Sequence, residues 1–248
     1  MRTVVVGASS GLGRCIATGL ARRGDQVAML ARRYEMLVEA AKEAGPGTLA
    51  IVCDVTDEAS CRRAIDEAAT GLGGIDGLVY ATGVGTPTHL VDTDARAWRR
   101  TLDTNVVGAA LVTSAAIGYL TESHGVAAYL SSVSASLTPP WPGLGAYAVS
   151  KAALDKLVEA WRSEHPQLGF TRVVVGDCGG GEGDSMSQFA SGWDRELVGP
   201  LYNIWSQRRY LSGSIMDVEN LVNVVHNVLR CGADASVQSV TVAPRPPA

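Results

Sequence analysis

Tyr147 and Lys151 stand four residues apart in Ala146-Tyr147-Ala148-Val149-Ser150-Lys151, a run that predicts the opening of a helix. On a helix this spacing stacks the phenol and the ammonium on one face. An ammonium beside a phenol favours the phenolate, so the tyrosine is expected to ionise below its ordinary value of about 10. A tyrosine tuned in this way can exchange a proton with a substrate oxygen. The pair alone is also compatible with a half-buried tyrosine beside a solvated lysine on an amphipathic helix.

A second chemical feature opens the chain. The apolar run Thr3-Val4-Val5-Val6 is followed by Gly7-Ala8-Ser9-Ser10-Gly11-Leu12-Gly13, then by Ile16, Leu20 and Ala21 at helical spacing. A strand, a glycine-rich turn and a helix N-terminus make a pyrophosphate site. Backbone N–H groups point at the anion, the helix dipole favours it, and glycines let the main chain come close. Gly7, Ser9, Ser10, Gly11, Leu12 and Gly13 are the candidate cradle. Their spacing, G-x-x-x-G-x-G, departs from the common G-x-G-x-x-G fingerprint.

These groups need a scaffold, and the pattern of the chain predicts one. Strand candidates are Thr3–Val6, Gln26–Leu30, Leu49–Val52, Gly77–Ala81, Val126–Leu130, Thr171–Val175 and Ser236–Val242. Helical patterns lie between them, clearest at Asp57–Leu72, where an aspartate opens the helix and glycines close it. Such alternation predicts right-handed βαβ crossovers and an α/β fold with a parallel sheet covered on both faces. No linker, repeat or low-complexity run divides residues 1–248, which read as a single domain; the tail Pro244-Arg245-Pro246-Pro247-Ala248 reads as loose.

A charged share of 19% with a hydrophobic share of 46% describes an ordinary globular chain, and a net charge of −4 leaves no basic footprint for nucleic acid. Cys15, Cys53, Cys61, Cys178 and Cys231 are scattered, so neither a zinc site nor a disulfide framework is expected. No signal-like segment opens the chain and no apolar run approaches a membrane span, which predicts a cytoplasmic protein without membrane contact. His89, His124, His165 and His226 lack ligand spacing, and no metal is expected.

The glycine-rich N-terminus and the Y-x-x-x-K pair about 150 residues on resemble the short-chain dehydrogenase/reductase family, from Thr3 to about Val242. Between them, Leu130-Ser131-Ser132-Val133 looks like the strand end bearing the family's serine, and Asp103-Thr104-Asn105-Val106-Val107-Gly108 like the segment bearing its asparagine. The resemblance implies a Rossmann-type doubly wound parallel sheet of about seven strands, order 3-2-1-4-5-6-7. It implies catalytic roles for Asn105, Ser132, Tyr147 and Lys151. Ser132 would polarise a carbonyl, Tyr147 would pass the proton, Lys151 would hold the cofactor ribose and tune the tyrosine, and Asn105 would position a water. Ser132 lies fifteen residues before Tyr147, where many relatives have thirteen, so Ser134 is the alternative; the loop Thr138–Gly143 can absorb the difference.

Cofactor choice is implied by Ala28-Met29-Leu30-Ala31-Arg32-Arg33. Alanine stands at Ala31, where NAD-preferring relatives carry aspartate, and Arg32 follows, which favours NADP(H) over NAD(H). Asp54 and Val55 match the family's residues near the adenine ring, and Gly83 its turn glycine. Three departures stand out. Tyr80-Ala81-Thr82-Gly83 replaces an N-N-A-G motif and loses both amides. Val6 stands where a threonine often precedes the first glycine. Asp177-Cys178-Gly179-Gly180-Gly181-Glu182-Gly183 replaces Pro-Gly, with Cys178 read as a packed thiol.

Residues from about 184 to 212 are expected to form a substrate lid carrying Met186, Phe189, Trp193, Leu197, Leu201, Tyr202, Ile204, Trp205 and Tyr210, joined by Trp141 and Leu144. These suit an apolar or ring-bearing carbonyl compound, although a plain core or a subunit interface has the same composition. Arg195, Arg208 and Arg209 are read as solvated. The expected activity is carbonyl–alcohol interconversion by hydride transfer in a homodimer or homotetramer. A non-enzymatic NADP-binding regulator and an epimerase or dehydratase of the longer related family are the other readings.

Overall fold

Seven parallel strands form one sheet in the order β3-β2-β1-β4-β5-β6-β7, as the family resemblance implied. The computed structural model describes residues 1–181, 189–231 and 233–245; Glu182, Gly183, Asp184, Met186 and the tail from Pro246 lie outside the described residues. The strands are β1 Arg2–Val6, β2 Gln26–Ala31, β3 Leu49–Val52, β4 Gly77–Tyr80, β5 Val126–Ser132, β6 Gly169–Val175 and β7 Ser239–Val242. β5 runs two residues beyond its expected end and so carries Ser132 to the sheet edge; β7 starts three residues late.

The strands are near-continuous apolar runs because both faces are covered, as parallel sheets require. Alternate residues of each strand serve different cores. Val4, Val6, Leu78, Tyr80, Ala127 and Tyr129 face one side, where they meet α3 (Glu58–Leu72), α5 (Gly108–Ser123) and α7 (Gly145–Glu164). Val5, Val79, Ala128 and Leu130 face the other, against α1 (Gly11–Arg22), α2 (Tyr34–Ala44) and α9 (Val218–Leu229). Local chemistry sets the helix ends. Asp57 caps α3 by accepting from Ala59 N at 3.0 Å, and Gly73 closes it in the left-handed region at φ 75°.

One expectation about apolar runs needs correction. α4 (Ala95–Leu102), a π-helical turn Asp103–Val107 and α5 form one helix, Ala95–Ser123, that contains a window long and apolar enough to cross a membrane by composition. Here its apolar side is packed: Val112, Ala116 and Leu120 are fully buried, and Leu111, Ala115 and Ile117 lie against the same core. The sequence hides this run because Asp103 and Asn105 sit at its head.

β1 pairs with β2 on one side and β4 on the other, so chain order reverses between them. The crevice outside the carboxyl ends of strands at such a reversal is where open α/β sheets bind ligands. Gly7, Ala81, Val133 and Gly176 each follow directly on one of these strand ends. A third cluster roofs the crevice, with Leu144, Leu201 and Trp205 buried among Trp141, Trp193, Leu197 and Tyr210. It is built from α8 (Arg195–Gln207) and the loop before α7.

Candidate active site

The glycine turn is tight by construction. Gly7 adopts φ 89°, and a Cβ on Gly13 would lie 2.3 Å from the Gly7 carbonyl oxygen. A side chain at either position would push α1 off the sheet. Ser10 occupies the N-cap of α1 without capping it through its side chain, so the first N–H groups of the helix face the crevice without that acceptor. A cradle that a Cβ would fill and an uncapped helix N-terminus fit a dinucleotide pyrophosphate.

Beside the turn, it is Arg33, next to the Arg32 that the sequence picked out, that folds back onto the serines. Arg33 Nη2 donates to Ser9 Oγ at 2.9 Å and to Ser10 Oγ at 2.7 Å, which lays its guanidinium across the glycine turn. Arg32 also borders the cavity but makes no hydrogen bond or ion pair among the described residues. Burial and the neighbouring Arg32 charge together lower the Arg33 pKa. The double arginine was visible in sequence; which one folds back depends on the backbone turn after β2.

Asp54 forms a local turn, accepting from Thr56 N at 3.0 Å and Thr56 Oγ1 at 2.8 Å. Burial pushes its carboxyl up, but the Thr56 donors and the Arg32 charge outweigh that and hold it below the ordinary carboxylate range. It lines the cavity with Val55, while Asp57 serves as the helix cap.

The Ser–Tyr–Lys constellation converges from two elements, β5 and α7. Ser132 ends β5, and its Oγ lies 2.9 Å from Ser134 Oγ and accepts from Ser134 N at 3.2 Å. Ser132 is the serine whose hydroxyl acts to lower the Tyr147 phenol's pKa. Tyr147 is on the first turn of α7, its ring 5.1 Å from Phe189, and a Cβ on Gly85 would sit 2.9 Å from its Cδ2. Lys151, one turn on, is buried and donates from Nζ to Leu130 O at 2.7 Å.

The expected fall in the tyrosine's pKa does not occur in this state. Burial pushes the Tyr147 phenol up to about 12, and the Ser132 hydrogen bond only partly opposes it. Burial brings the lysine down to about 8, against the pull of Asp155, which leaves it charged at neutral pH. Its Nζ is committed to Leu130 and lies 5.8 Å from the Tyr147 ring centroid. Helical spacing fixes which groups share a face, but it says nothing of the water both lose.

Asn105 is fully buried in the π-helical turn, and its amide is spent on the protein. Oδ1 accepts from Val84 N at 2.8 Å, and Nδ2 donates to Val84 O at 2.9 Å and Ser150 Oγ at 2.8 Å. These bonds pin the Gly83–Val84 loop against α7. At Gly83 the main chain comes close to the lysine: a Cβ there would lie 3.3 Å from Lys151 Nζ.

The lost asparagines after β4 have a replacement. The Tyr80 phenol, buried in the core, donates to Thr104 O at 2.5 Å and ties β4 to the π-helical turn. Cys178 is half-buried, with burial pushing its thiol up to about 11, so it is a packed and unreactive thiol.

The crevice is a continuous cavity of ≈ 850 Å³ lined by Gly7, Arg33, Asp54, Ser132, Tyr147 and Lys151 at the polar end and by Trp141, Leu144, Phe189, Trp193 and Trp205 at the other. Trp193 Nε1 donates to Gly85 O at 2.8 Å and Trp205 Nε1 to Pro142 O at 2.9 Å, which fixes both indoles. Tyr202 lines the cavity; Leu197 and Tyr210 support the aromatic cluster from behind. Arg195, Arg208, Arg209 and His89 are exposed and do not line the cavity.

A strand–glycine turn–helix cradle joined to a Ser–Tyr–Lys constellation at the carboxyl edge of a 3-2-1-4-5-6-7 sheet defines a dinucleotide-dependent oxidoreductase class. The short-chain dehydrogenase family model matches residues 2–191, and the chain belongs to that family. It is 34% identical over 179 residues to an 11-beta-hydroxysteroid dehydrogenase A of Sesamum indicum, covering 70% of this chain and 51% of that protein. It is 36% identical to a farnesol dehydrogenase of Aedes aegypti, covering 69% and 73% respectively. A glycine betaine reductase of Emericella nidulans matches 98% of this chain at 31% identity, over 18% of its own length. The chain thus spans about half of the sesame protein and a small part of the fungal one. A short-chain type dehydrogenase/reductase from Mycobacterium marinum superposes with TM-score 0.80 at 26% identity, covering 98% of this chain and 93% of that one. An alcohol dehydrogenase from Thermococcus sibiricus, complexed with 5-hydroxy-NADP, shares the fold at TM-score 0.79 and 21% identity, covering 97% and 94%.

Proposed function

We propose that the protein is an NADP(H)-dependent oxidoreductase that interconverts a carbonyl and an alcohol on an apolar or ring-bearing small molecule. The observation that carries this reading is the meeting of Ser132, Tyr147 and Lys151 in one cavity with the glycine cradle and the aromatic wall. The nicotinamide dinucleotide supplies the hydride when bound. Gly7–Gly13 and the N-terminus of α1 would hold its pyrophosphate, Asp54 and Val55 would border its adenine, and Arg33 across Ser9 and Ser10 would meet a ribose phosphate.

Ser132 donates a hydrogen bond to the substrate carbonyl oxygen and polarises it. Tyr147 gives its phenolic proton to the same oxygen as negative charge develops there. Its pKa of about 12 keeps that proton in place at neutral pH, which suits the reducing direction. Lys151 has two N–H donors beyond the one given to Leu130 O, and these are available to ribose hydroxyls. Asn105 and Tyr80 keep the Gly83–Val84 loop and the π-helical turn in register beneath them. Positioned proton transfer of this kind contributes about a hundred- to ten-thousandfold.

The aromatic wall supports an apolar substrate, as do relatives named for a hydroxysteroid and for farnesol. The relative named for glycine betaine adds a second candidate, since aromatic rings also take quaternary ammonium groups. The test is oxidation of NADPH, and separately NADH, with a panel of sterol ketones, isoprenoid aldehydes and a quaternary ammonium aldehyde. Turnover should prefer NADPH and fall about a hundredfold or more in Tyr147→Phe. Full turnover in that variant would remove Tyr147 from the mechanism.

A further inference from the structure

We propose that Ser134 is a positioning residue for the reaction, fixing the direction in which Ser132 presents its proton. The inference rests on the oxidoreductase reading above and names a residue outside the Ser–Tyr–Lys set. Ser134 lies in the first turn of α6 (Val133–Ser136), borders the same cavity as Ser132, and is 4% exposed. It offers Ser132 Oγ two contacts, its backbone N–H at 3.2 Å and its own hydroxyl at 2.9 Å.

Either hydroxyl could be the donor across the 2.9 Å contact, and burial decides which. A buried O–H needs an acceptor. Ser132 Oγ is the partner the structure gives Ser134 Oγ among the described residues. Were Ser132 the donor, the Ser134 proton would be left without a protein acceptor among the described residues. With Ser134 donating, Ser132 Oγ receives one hydrogen bond from an N–H and one from an O–H. A serine oxygen has two lone pairs, so both are then occupied. The Ser132 proton can point only outward, towards the Tyr147 hydroxyl and the place of the substrate oxygen. Ser132 is thereby held as a donor, the state needed to polarise a carbonyl. Ser134 itself neither gains nor loses a proton in this scheme.

The test compares wild type, Ser134→Ala, Ser134→Thr and Tyr147→Phe in carbonyl reduction and alcohol oxidation across pH. Loss of one buried hydrogen bond of this kind predicts a fall in kcat of about three- to tenfold in Ser134→Ala, with KM changed less than about twofold. The oxidation profile should also move to higher pH, because a less well directed Ser132 supports the Tyr147 phenolate less. Ser134→Thr, which restores the hydroxyl, should recover both. Wild-type kcat and an unmoved pH profile in Ser134→Ala, with Tyr147→Phe inactive, would overturn the inference and leave the oxidoreductase reading standing. Full activity in Tyr147→Phe would overturn that reading first. A loss in Ser134→Ala that Ser134→Thr fails to rescue, with no pH shift, would make Ser134 mere packing. Should Ser134→Ala not fold, Ser134→Cys, which keeps the volume with a weaker donor, takes its place under the same criteria.

Discussion

Replacing Arg33 with alanine should separate NADPH from NADH. In the structure this guanidinium is tethered to Ser9 and Ser10 by bonds of 2.9 and 2.7 Å, so it is already placed beside the glycine turn before any ligand arrives. A charge-assisted hydrogen bond is worth about 1.5–3 kcal/mol. Arg33 is exposed and therefore open to screening by salt, which places the expected loss near the lower end. That corresponds to NADPH affinity weakened by roughly tenfold, with NADH affinity altered by less than about twofold. Titration of each dinucleotide by calorimetry at low and high salt would measure both, with Arg32→Ala run in parallel. The gap between Arg33→Ala and wild type should narrow as salt rises. Equal weakening of both dinucleotides would show that Arg33 braces the loop without reading the phosphate. A selective effect in Arg32→Ala alone would return the role to that residue.

Two further outcomes follow from buried groups. Tyr80→Phe removes the donor to Thr104 O and leaves a buried carbonyl unpaired, so it should cost about 1–3 kcal/mol by denaturant titration; an unchanged midpoint would show that another donor takes over. Lys151 is a base whose folded pKa, about 8, lies below its unfolded value of 10.5. Between those values the unfolded chain binds more protons, so the lysine's contribution destabilises below pH 8 and is relieved as pH rises towards 10.5. Lys151→Met should therefore be more stable than wild type at pH 7 by at most about 3 kcal/mol, with the difference closing above pH 10; a pH-independent difference would contradict the assigned burial.

Apolar runs revealed the strands because a sheet covered on both faces leaves no polar alternation to confuse with a helix, and β3 was bounded correctly from sequence alone. Strand order came from the family resemblance, since nothing in local pattern says that β4 pairs with β1 and not with β3. The glycine cradle was visible because its geometry requires glycine itself at Gly7 and Gly13. Other features depended on tertiary context. Arg32 and Arg33 are chemically identical until the backbone turns, and the Tyr147 pKa depends on water lost to elements distant in sequence. The π-helical turn at Asp103–Val107 has no composition signature, yet it brings Asn105 to Val84 and Thr104 to Tyr80.

The anchoring of the indoles has an optical consequence. Of the chain's five tryptophans, Trp141, Trp193 and Trp205 line the cavity, while Trp98 and Trp161 lie elsewhere. Each of the three has its N–H fixed by the protein, to Thr138 Oγ1, Gly85 O and Pro142 O respectively, so their orientations are set before a ligand enters. Intrinsic fluorescence of this protein is therefore weighted towards the cavity. A ligand that displaces water from those rings would announce itself in the emission spectrum without any label or turnover.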